Sequence, residues 1–285
     1  MSLRSEPMAM GHYGIYDRVE ELLRGEKGRV LDVPAGEGAL AVRLKKIGLD
    51  VTCCDLYPRI FKLEDTEIRE GDLDARLPFD DADFDTVVCV EGLEHIENPA
   101  NAIREFARIL KTDGMAIVSV PNIMNIEERL KWLFYGYTSH FKPLSKEAIR
   151  VHQRHEMGGM DEIAFHINPI GYAELRYLLE KAGFEIEGAF ADSKKNGMWA
   201  FAPLVGAISL AANFSSREKR ATRWTDEMNS AVVLKGGNTL ILVARNYEKA
   251  YCLTTVDTFT VAPFKMNGSK RSPFSAFETC GEFKG

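Results

Sequence analysis

The sequence predicts an α/β fold in which a mostly parallel sheet is covered by helices on both faces. From residue 28 onward, short β-branched runs alternate with longer segments of helical periodicity, which is the pattern of a parallel sheet. The run 84–90 (FDTVVCV) is the clearest strand, and residues 98–110 place apolar side chains on one helix face. With 45% hydrophobic and 27% charged residues, the 285-residue chain can bury a full core.

The remaining elements are predicted from the two-residue period of strands and the 3.6-residue period of helices. The predicted strands are 29–33, 50–54, 67–69, 84–90, 115–120, 184–190 and 238–243, and the predicted helices are 39–47, 98–110 and 170–181. Pro121 stops the fifth strand because proline cannot donate to a ladder. The predicted organisation is a helical cap over residues 1–27, a domain over 28–246 with an insertion at 122–168, and an irregular tail over 247–285.

Charge and cysteine usage exclude several classes of protein. Lys and Arg number 36 against 42 Asp and Glu, and a net charge of −6 disfavours nucleic-acid binding. The five cysteines show no CxxC spacing, and Cys53, Cys54 and Cys89 lie in apolar runs, so neither a disulfide framework nor a zinc ribbon is expected. The first residues lack the apolar run of a secretory signal. A cytoplasmic location is therefore expected.

Residues 199–214 form a mostly apolar run that a basic stretch (REKRATR) follows. The run is shorter than the ~20 apolar residues that a membrane-spanning helix needs. Two interpretations stay open: a buried or dimer-forming helix, or an interfacial helix that meets a lipid-linked substrate.

A glycine-containing turn and two acids follow the first three strands. In VLDVPAGEGAL (30–40), Gly36 and Gly38 let the backbone approach a ligand, and the start of the next helix suits a carboxylate. Asp32 is an acceptor suited to an ammonium group or a water. Asp55 follows the second strand, where an acid can accept both ribose hydroxyls of an adenosine, and Asp72 follows the third strand on the same sheet edge. The GxGxxG fingerprint is missing, which disfavours NAD.

Taken together, VLDVPAGEGAL, CCDLYP, GDLDARLPFDDADFDTVVCVEGLEHIENP, LKTDGMAIVSVPN and LLEKAGF resemble the class I S-adenosylmethionine-dependent methyltransferases, in particular the ubiquinone and menaquinone biosynthesis branch. The resemblance implies a doubly wound, Rossmann-like, seven-stranded sheet of order 3-2-1-4-5-7-6 with an antiparallel seventh strand, S-adenosylmethionine as cofactor and S-adenosylhomocysteine as product. It implies that the cofactor is bound by Asp32, Pro34, Ala35, Gly36, Gly38, Asp55, Leu56, Asp72, Leu73, Glu91 and Gly92. Pro34 replaces the family's first turn glycine, so a reshaped turn that still binds the cofactor is expected.

The resemblance implies direct methyl transfer without a metal or a covalent intermediate. An oxygen or nitrogen acceptor can need a general base, and histidine suits this role near neutral pH. The candidate catalytic residues are His95, His140 and His166; His152 and His155 also lie in the insertion, and a surface or structural role is the alternative for each. The spacing of Glu91, Glu94 and His95 resembles a metal-binding motif of some class I O-methyltransferases, so a Mg²⁺-type site stays open as an alternative.

The acceptor expected from the sequence is a small molecule or a glycan or lipid intermediate, not DNA. Aromatic residues of the insertion, among them Trp132, Phe134 and Tyr135, would line an acceptor pocket or form the small core of a lid. Peripheral membrane contact and a homodimer are further expectations. Two rival functions remain: a non-catalytic partner protein that binds S-adenosylmethionine, and an NAD-dependent oxidoreductase on a related sheet.

Overall fold

A seven-stranded sheet forms the centre of the computed structural model, which describes residues 6–146, 165–195 and 197–247. The strands are β1 (Arg29–Asp32), β2 (Asp50–Asp55), β3 (Ile68–Glu70), β4 (Phe84–Val90), β5 (Leu110–Pro121), β6 (Phe184–Ala191) and β7 (Thr239–Asn246). Their order is β3-β2-β1-β4-β5-β7-β6, with β7 antiparallel to both neighbours and the strands from β3 to β5 parallel. The order and the antiparallel strand implied by the resemblance are confirmed.

Helices cover both faces of this sheet. They are α1 (Tyr13–Leu23), α2 (Ala39–Lys46), α3 (Pro99–Ile109), α4 (Ile126–Tyr135), α5 (Tyr172–Lys181), α6 (Ala202–Asn213), α7 (Arg217–Thr222), α8 (Thr225–Met228) and α9 (Ala231–Leu234). Short 3-10 turns lie at Pro58–Ile60, Leu93–His95 and Met198–Phe201. Part of the predicted insertion, with His152 and His155, and nearly all of the predicted tail lie outside the described residues.

Alternation along the strands divides the core into two layers, because successive strand residues point to opposite faces. Leu31 packs in a cluster with Phe106 of α3 and Leu175 of α5, while its neighbour Val30 packs in a second cluster with Val19 of α1. Cys53, Cys54 and Cys89 are buried free thiols in these layers, as the sequence predicts.

Strand β5 begins five residues earlier than predicted. Leu110 already pairs with Phe84 of β4, and the ladder then shifts register before Met115 pairs with Thr86. The polar residues of this irregular stretch hide it from a period-of-two search, so the helix predicted to reach Leu110 ends at Ile109 instead.

Two expectations about apolar segments are wrong. None of the residues of α6 is buried, so the interpretation of the run 199–214 as a buried helix fails. The side chains of Trp132, Phe134 and Tyr135 on α4 are 51%, 73% and 68% exposed, so the expectation that these three form the core of a lid is wrong. Both segments carry apolar side chains that face outward.

The carboxyl edge of the sheet collects the polar residues of the site. Because β1, β2 and β4 are parallel, Asp32, Asp55 and Glu91 come to the same edge. Strand β7 runs the other way, so its first residue, Thr239, also lies at this edge, paired with Pro121 at the end of β5.

Candidate active site

The turn after β1 is tied to β2 by hydrogen bonds. The Val33–Pro34 peptide bond is cis, the Ala35 amide donates to the Cys54 carbonyl over 3.0 Å, and the Gly36 amide donates to Oδ2 of Asp55 over 2.8 Å. Gly36 has a φ of 54°, a left-handed conformation that favours glycine. The acid predicted to bind the ribose therefore also holds the turn in place.

Pro34 contacts the loop that follows β4. A Cβ at Gly92 would lie 2.6 Å from Cδ of Pro34, so only a residue without a side chain leaves room for the proline ring. A direct contact thus joins the turn to the residue predicted to lie beside the sulfonium.

Asp32 is a buried acid with an unsatisfied oxygen. Its side chain accepts the Ala41 amide, the residue is 1% exposed, and its Oδ2 has no hydrogen-bond partner. Burial and, next, the charge of Asp55 raise the pKa of Asp32 to about 8. The carboxyl is thus mostly protonated at neutral pH, and the orphaned oxygen is one that a ligand ammonium group would satisfy.

The other predicted cofactor residues differ in exposure. Leu56 is 45% exposed directly after Asp55, whereas Leu73 is buried in the core. Asp72 is exposed, and its Oδ1 accepts the Asp74 amide over 2.8 Å. Their positions at the ends of β2 and β3 keep them on the predicted edge, but the side chain of Leu73 is committed to packing.

Glu91 is bonded to β7. Its Oε1 accepts the Thr239 hydroxyl over 3.0 Å, and its amide donates to Oγ of Ser119 over 3.0 Å. Burial raises the pKa of Glu91. Asp192 accepts the Thr239 amide over 3.0 Å and lies 3.6 Å from Nδ1 of His12, so a second group of polar side chains flanks Glu91. No periodic pattern in the sequence points to His12 or Asp192.

The N-terminal segment lies across the glycine turn. The Met8 amide donates to Oε2 of Glu37 over 2.7 Å, and a Cβ at Gly36 would lie 3.0 Å from Cγ of Met10. The Tyr16 hydroxyl accepts the amides of Met10 and Gly11, and burial raises its pKa to about 12. This segment thus forms one wall of the predicted cofactor site.

Three histidines converge beyond β4. The ring centroids of His95 and His166 are 4.7 Å apart, and the rings of His140 and His166 stack at 5.8 Å. Nδ1 of His95 lies 3.0 Å from the Phe165 carbonyl, and Phe141 contacts the ring of His166. The structure brings together all three histidines singled out as catalytic candidates.

These histidines are held in their neutral forms. Burial lowers the pKa of His95 and of His140, and burial together with the other two imidazoles lowers that of His166 to about 4. A carbonyl oxygen can only accept, so Nδ1 of His95 carries the proton that it shares with Phe165 and Nε2 keeps its lone pair. His95 is therefore oriented as a base.

Glu94 lies beside this cluster and is fully buried. Neither of its carboxyl oxygens has a hydrogen-bond partner, and burial raises its pKa well above the usual range. One oxygen of Glu94 and one nitrogen each of His95 and His166 lie within 4.8 Å of one another, a set that could hold a divalent ion. Glu91, the third residue of the motif read from the sequence, is absent from this group and bonds Thr239 instead.

A comparison with known protein families shows to which family the chain belongs. The family described as "Methyltransferase domain" matches residues 9–188, which contain the glycine turn, both edge acids and the three histidines. The chain belongs to this methyltransferase-domain family.

Relatives with curated names match part of the chain. A probable S-adenosylmethionine-dependent methyltransferase of Mycolicibacterium smegmatis is 30% identical over 187 residues, covering 62% of this chain and 58% of the relative. A ubiquinone biosynthesis O-methyltransferase of Paracidovorax citrulli is 36% identical over 104 residues, covering 33% of this chain and 44% of the relative. A demethylmenaquinone methyltransferase of Chlorobaculum tepidum is 35% identical over 113 residues, covering 37% and 46%. The chain thus spans about half the length of these relatives.

Solved structures agree on the fold. A methyltransferase of Thermotoga maritima, titled a possible histamine N-methyltransferase, has a TM-score of 0.50 at 17% identity and covers 82% of this chain and 90% of its own. A SAM-dependent methyltransferase of Archaeoglobus fulgidus has a TM-score of 0.50 at 15% identity, covering 81% and 94%. At this identity the likeness concerns the architecture alone.

Proposed function

We propose that the protein binds S-adenosylmethionine at the carboxyl edge of the sheet and methylates a hydroxyl group of a small acceptor, with His95 as general base. When bound, the cofactor supplies a methyl group that its sulfonium already activates. The observation that carries the proposal is the position of His95: its amide donates to the Gly92 carbonyl, and Gly92 contacts Pro34 of the glycine turn. One continuous set of contacts therefore joins the predicted cofactor turn to the base.

The residues at the edge fit the cofactor. The orphaned oxygen of Asp32 suits the ammonium group of the methionine part, and Asp55 retains lone pairs for ribose hydroxyls because each oxygen accepts only one amide, from Gly36 or Tyr57. Two acids on neighbouring parallel strands lie where an open sheet binds a nucleotide-like ligand.

His95 would take the acceptor proton. As the new O–CH₃ bond forms and the S–CH₃ bond breaks, the hydroxyl proton moves to Nε2, the nitrogen left free by the bond between Nδ1 and the Phe165 carbonyl. His166 packs edge-on against this imidazole, and His140 stacks on His166. Positioning and proton removal are the two contributions that the chain itself can make.

The acceptor is proposed to be a hydroxyl-bearing small molecule, free or attached to a lipid or glycan carrier. The support is the similarity to the Paracidovorax citrulli relative, a ubiquinone biosynthesis O-methyltransferase. We also propose that the transfer needs no metal. His95 serves as the base, and a divalent ion bound by Glu94, His95 and His166 would occupy Nε2 of His95 and displace the proton of Glu94. Chelator treatment should therefore leave the rate unchanged, whereas a loss restored by Mg²⁺ or Zn²⁺ would assign the group to a metal.

Calorimetric titration with S-adenosylhomocysteine and, separately, NAD tests the cofactor. Tight binding of NAD with none of S-adenosylhomocysteine would overturn the proposal. Methyl-labelled S-adenosylmethionine and a panel of phenols and host extracts then test transfer. The wild-type protein should label an acceptor, and His95→Gln, with unchanged cofactor affinity, should label it about 10²–10⁴-fold more slowly. Cofactor binding without turnover on any acceptor would instead support a non-catalytic partner protein.

A further inference from the structure

An uncharged apolar surface follows β6. Residues 198–214 contain no Asp, Glu, Lys or Arg, and they form the 3-10 turn Met198–Phe201 followed by α6. At either end stand Trp199 and Phe214, 82% and 86% exposed, with Leu210 on the helix at 63%. Helices that face water normally carry polar side chains outward, so this surface is built for a partner other than water.

The helix nevertheless has a definite inner face. Phe201, Val205, Ile208 and Ala212 are the partly buried positions, and their spacing of four, three and four residues places them on one side of a helix. Leu210 and Phe214 therefore face outward, whereas Leu204, four residues before Ile208, lies at the flank of the inner face. The most exposed side chains of the helix thus lie on the side opposite to its partly buried positions.

A basic cluster adjoins the apolar surface. Helix α7 and the next residue contain four basic side chains and one acid in the stretch 217–223, a local excess of positive charge in a chain of net charge −6. Arg220 pairs with Asp226 and donates to Asn213, whereas Arg217, Lys219 and Arg223 are exposed. A row of cations beside apolar side chains complements anionic lipid headgroups over acyl chains.

The same part of the molecule carries a second apolar set. Both ends of the segment that contains α6 are fixed to α4: Nζ of Lys195 lies 2.5 Å from Oε2 of Glu127, and Arg129 donates to the Met228 carbonyl over 2.7 Å. Helix α4 also presents Leu133 and Phe134, each 73% exposed. Its Glu128 accepts the Ser139 amide over 2.6 Å, next to His140, so α4 links this surface to the histidine cluster.

We propose that the surface formed by Trp199, α6, Phe214 and the cations of 217–223 docks on an anionic lipid bilayer, with α6 lying in the plane of the interface. No helix among the described residues is long and apolar enough to cross a membrane, so docking is peripheral. A second copy of the chain is the less suitable occupant, because a two-fold contact through this surface would bring the exposed cations of both copies together. The proposal stands apart from the reaction: it needs neither cofactor nor acceptor.

Vesicle sedimentation tests the docking. The full chain should bind vesicles of phosphatidylcholine mixed with phosphatidylglycerol and bind pure phosphatidylcholine at least about tenfold more weakly, with the difference lost at high salt. The double variant Trp199→Ser, Phe214→Ser should lower binding to the anionic vesicles by about tenfold or more. The triple variant Arg217→Glu, Lys219→Glu, Arg223→Glu should lose the preference for anionic vesicles.

Tyr247→Ser serves as the matched control. Tyr247 is 45% exposed and follows β7 at the opposite edge of the sheet, so its loss should leave vesicle binding unchanged. All substituted positions are exposed, and circular dichroism checks that each variant folds. Failure of the wild-type protein to bind any vesicle, or binding that the double variant does not reduce, would refute the proposal. A dimer that the double variant dissociates would assign the surface to a second copy instead.

Discussion

Cofactor binding should release a proton from Asp32. Burial and the neighbouring charge of Asp55 raise the pKa of Asp32 to about 8, so the carboxyl of the free protein is almost fully protonated at pH 6.5. A ligand ammonium beside its orphaned oxygen favours the ionised form. The α-amino group of the ligand has an ordinary pKa of about 7.7–8.0 and is itself cationic at this pH. Binding should therefore release roughly one proton.

The sign of the pH dependence follows from this proton. The free protein holds the proton and the complex does not, so affinity should rise with pH by nearly tenfold per unit between about pH 6 and 7 and level off near pH 8. The free energy of unfolding of the ligand-free protein changes with pH in the opposite direction. Since the folded state binds the proton more tightly than the unfolded chain, whose ordinary pKa is 3.8, stability should fall as pH rises from about 4 through about 8.

Isothermal titration with S-adenosylhomocysteine, in two buffers of different ionisation enthalpy, measures the released proton without methyl transfer. Asp32→Asn imitates the protonated carboxyl, so it should fold, bind without proton release and show an affinity independent of pH in this window. Asp55→Asn removes a cause of the raised pKa and should reduce the release at neutral pH. If the wild-type protein releases no proton at pH 6.5, or Asp32→Asn releases as much, the assignment of Asp32 to the ammonium is refuted.

Three further predictions test other contacts of the site. His95→Gln should lower the transfer rate by about 10²–10⁴-fold with unchanged S-adenosylhomocysteine affinity. Because burial lowers the pKa of His95, the kcat of the wild-type protein should stay level as the pH falls to 6.5, the ordinary pKa of histidine, and decrease only below that pH. A decrease centred above pH 6.5 would identify another base. Asp55→Ala should weaken S-adenosylhomocysteine binding by about 1.5–3 kcal/mol in calorimetry, since it also frees the Gly36 amide; an unchanged affinity would mean that the ribose is held elsewhere. Gly92→Ala should lower the free energy of unfolding by about 1–3 kcal/mol, because its Cβ would lie 2.6 Å from Cδ of Pro34. A variant that proves as stable as the wild-type protein in thermal or denaturant unfolding would contradict the contact.

The central strands β1, β2, β4 and β7 could be predicted because each one buries a run of apolar residues. The run 84–90 is strand β4 with the predicted bounds, since both of its faces pack against core layers. The start of β5 could not be found in this way, because Asp113 and Gly114 resemble a turn while the backbone still pairs with its neighbours. Periodicity also fails to predict the burial of α6, because a helix that is apolar on all sides has the same sequence pattern whether it is buried or exposed.

Residues of the candidate site could be predicted from the sequence only where the type of side chain itself indicates a chemical role. Three of the six histidines were singled out as catalytic candidates, and the fold brings His95, His140 and His166 together although 71 residues separate the first from the last in sequence. The contacts of Met8 with Glu37 and of His12 with Asp192 had no such signal. They join an irregular N-terminal segment to distant loops, and no short-range pattern encodes contacts of that kind.

Burial gives six groups of the site a common electrostatic property, because it favours the neutral forms of Asp32, Glu91, Glu94 and the three clustered histidines. It raises the pKa of Asp32, Glu91 and Glu94 and lowers that of the histidines. Neutral imidazoles keep the lone pair that a base needs, and they place no positive charge beside a cationic sulfonium, which protonated histidines would repel. Asp32 can become an anion when the ammonium arrives, so the charge appears where the ligand compensates it. Desolvation thus favours both the binding of the cofactor and the removal of the acceptor proton. The pH dependence of binding should be governed by Asp32, whereas the pH dependence of transfer should be governed by His95.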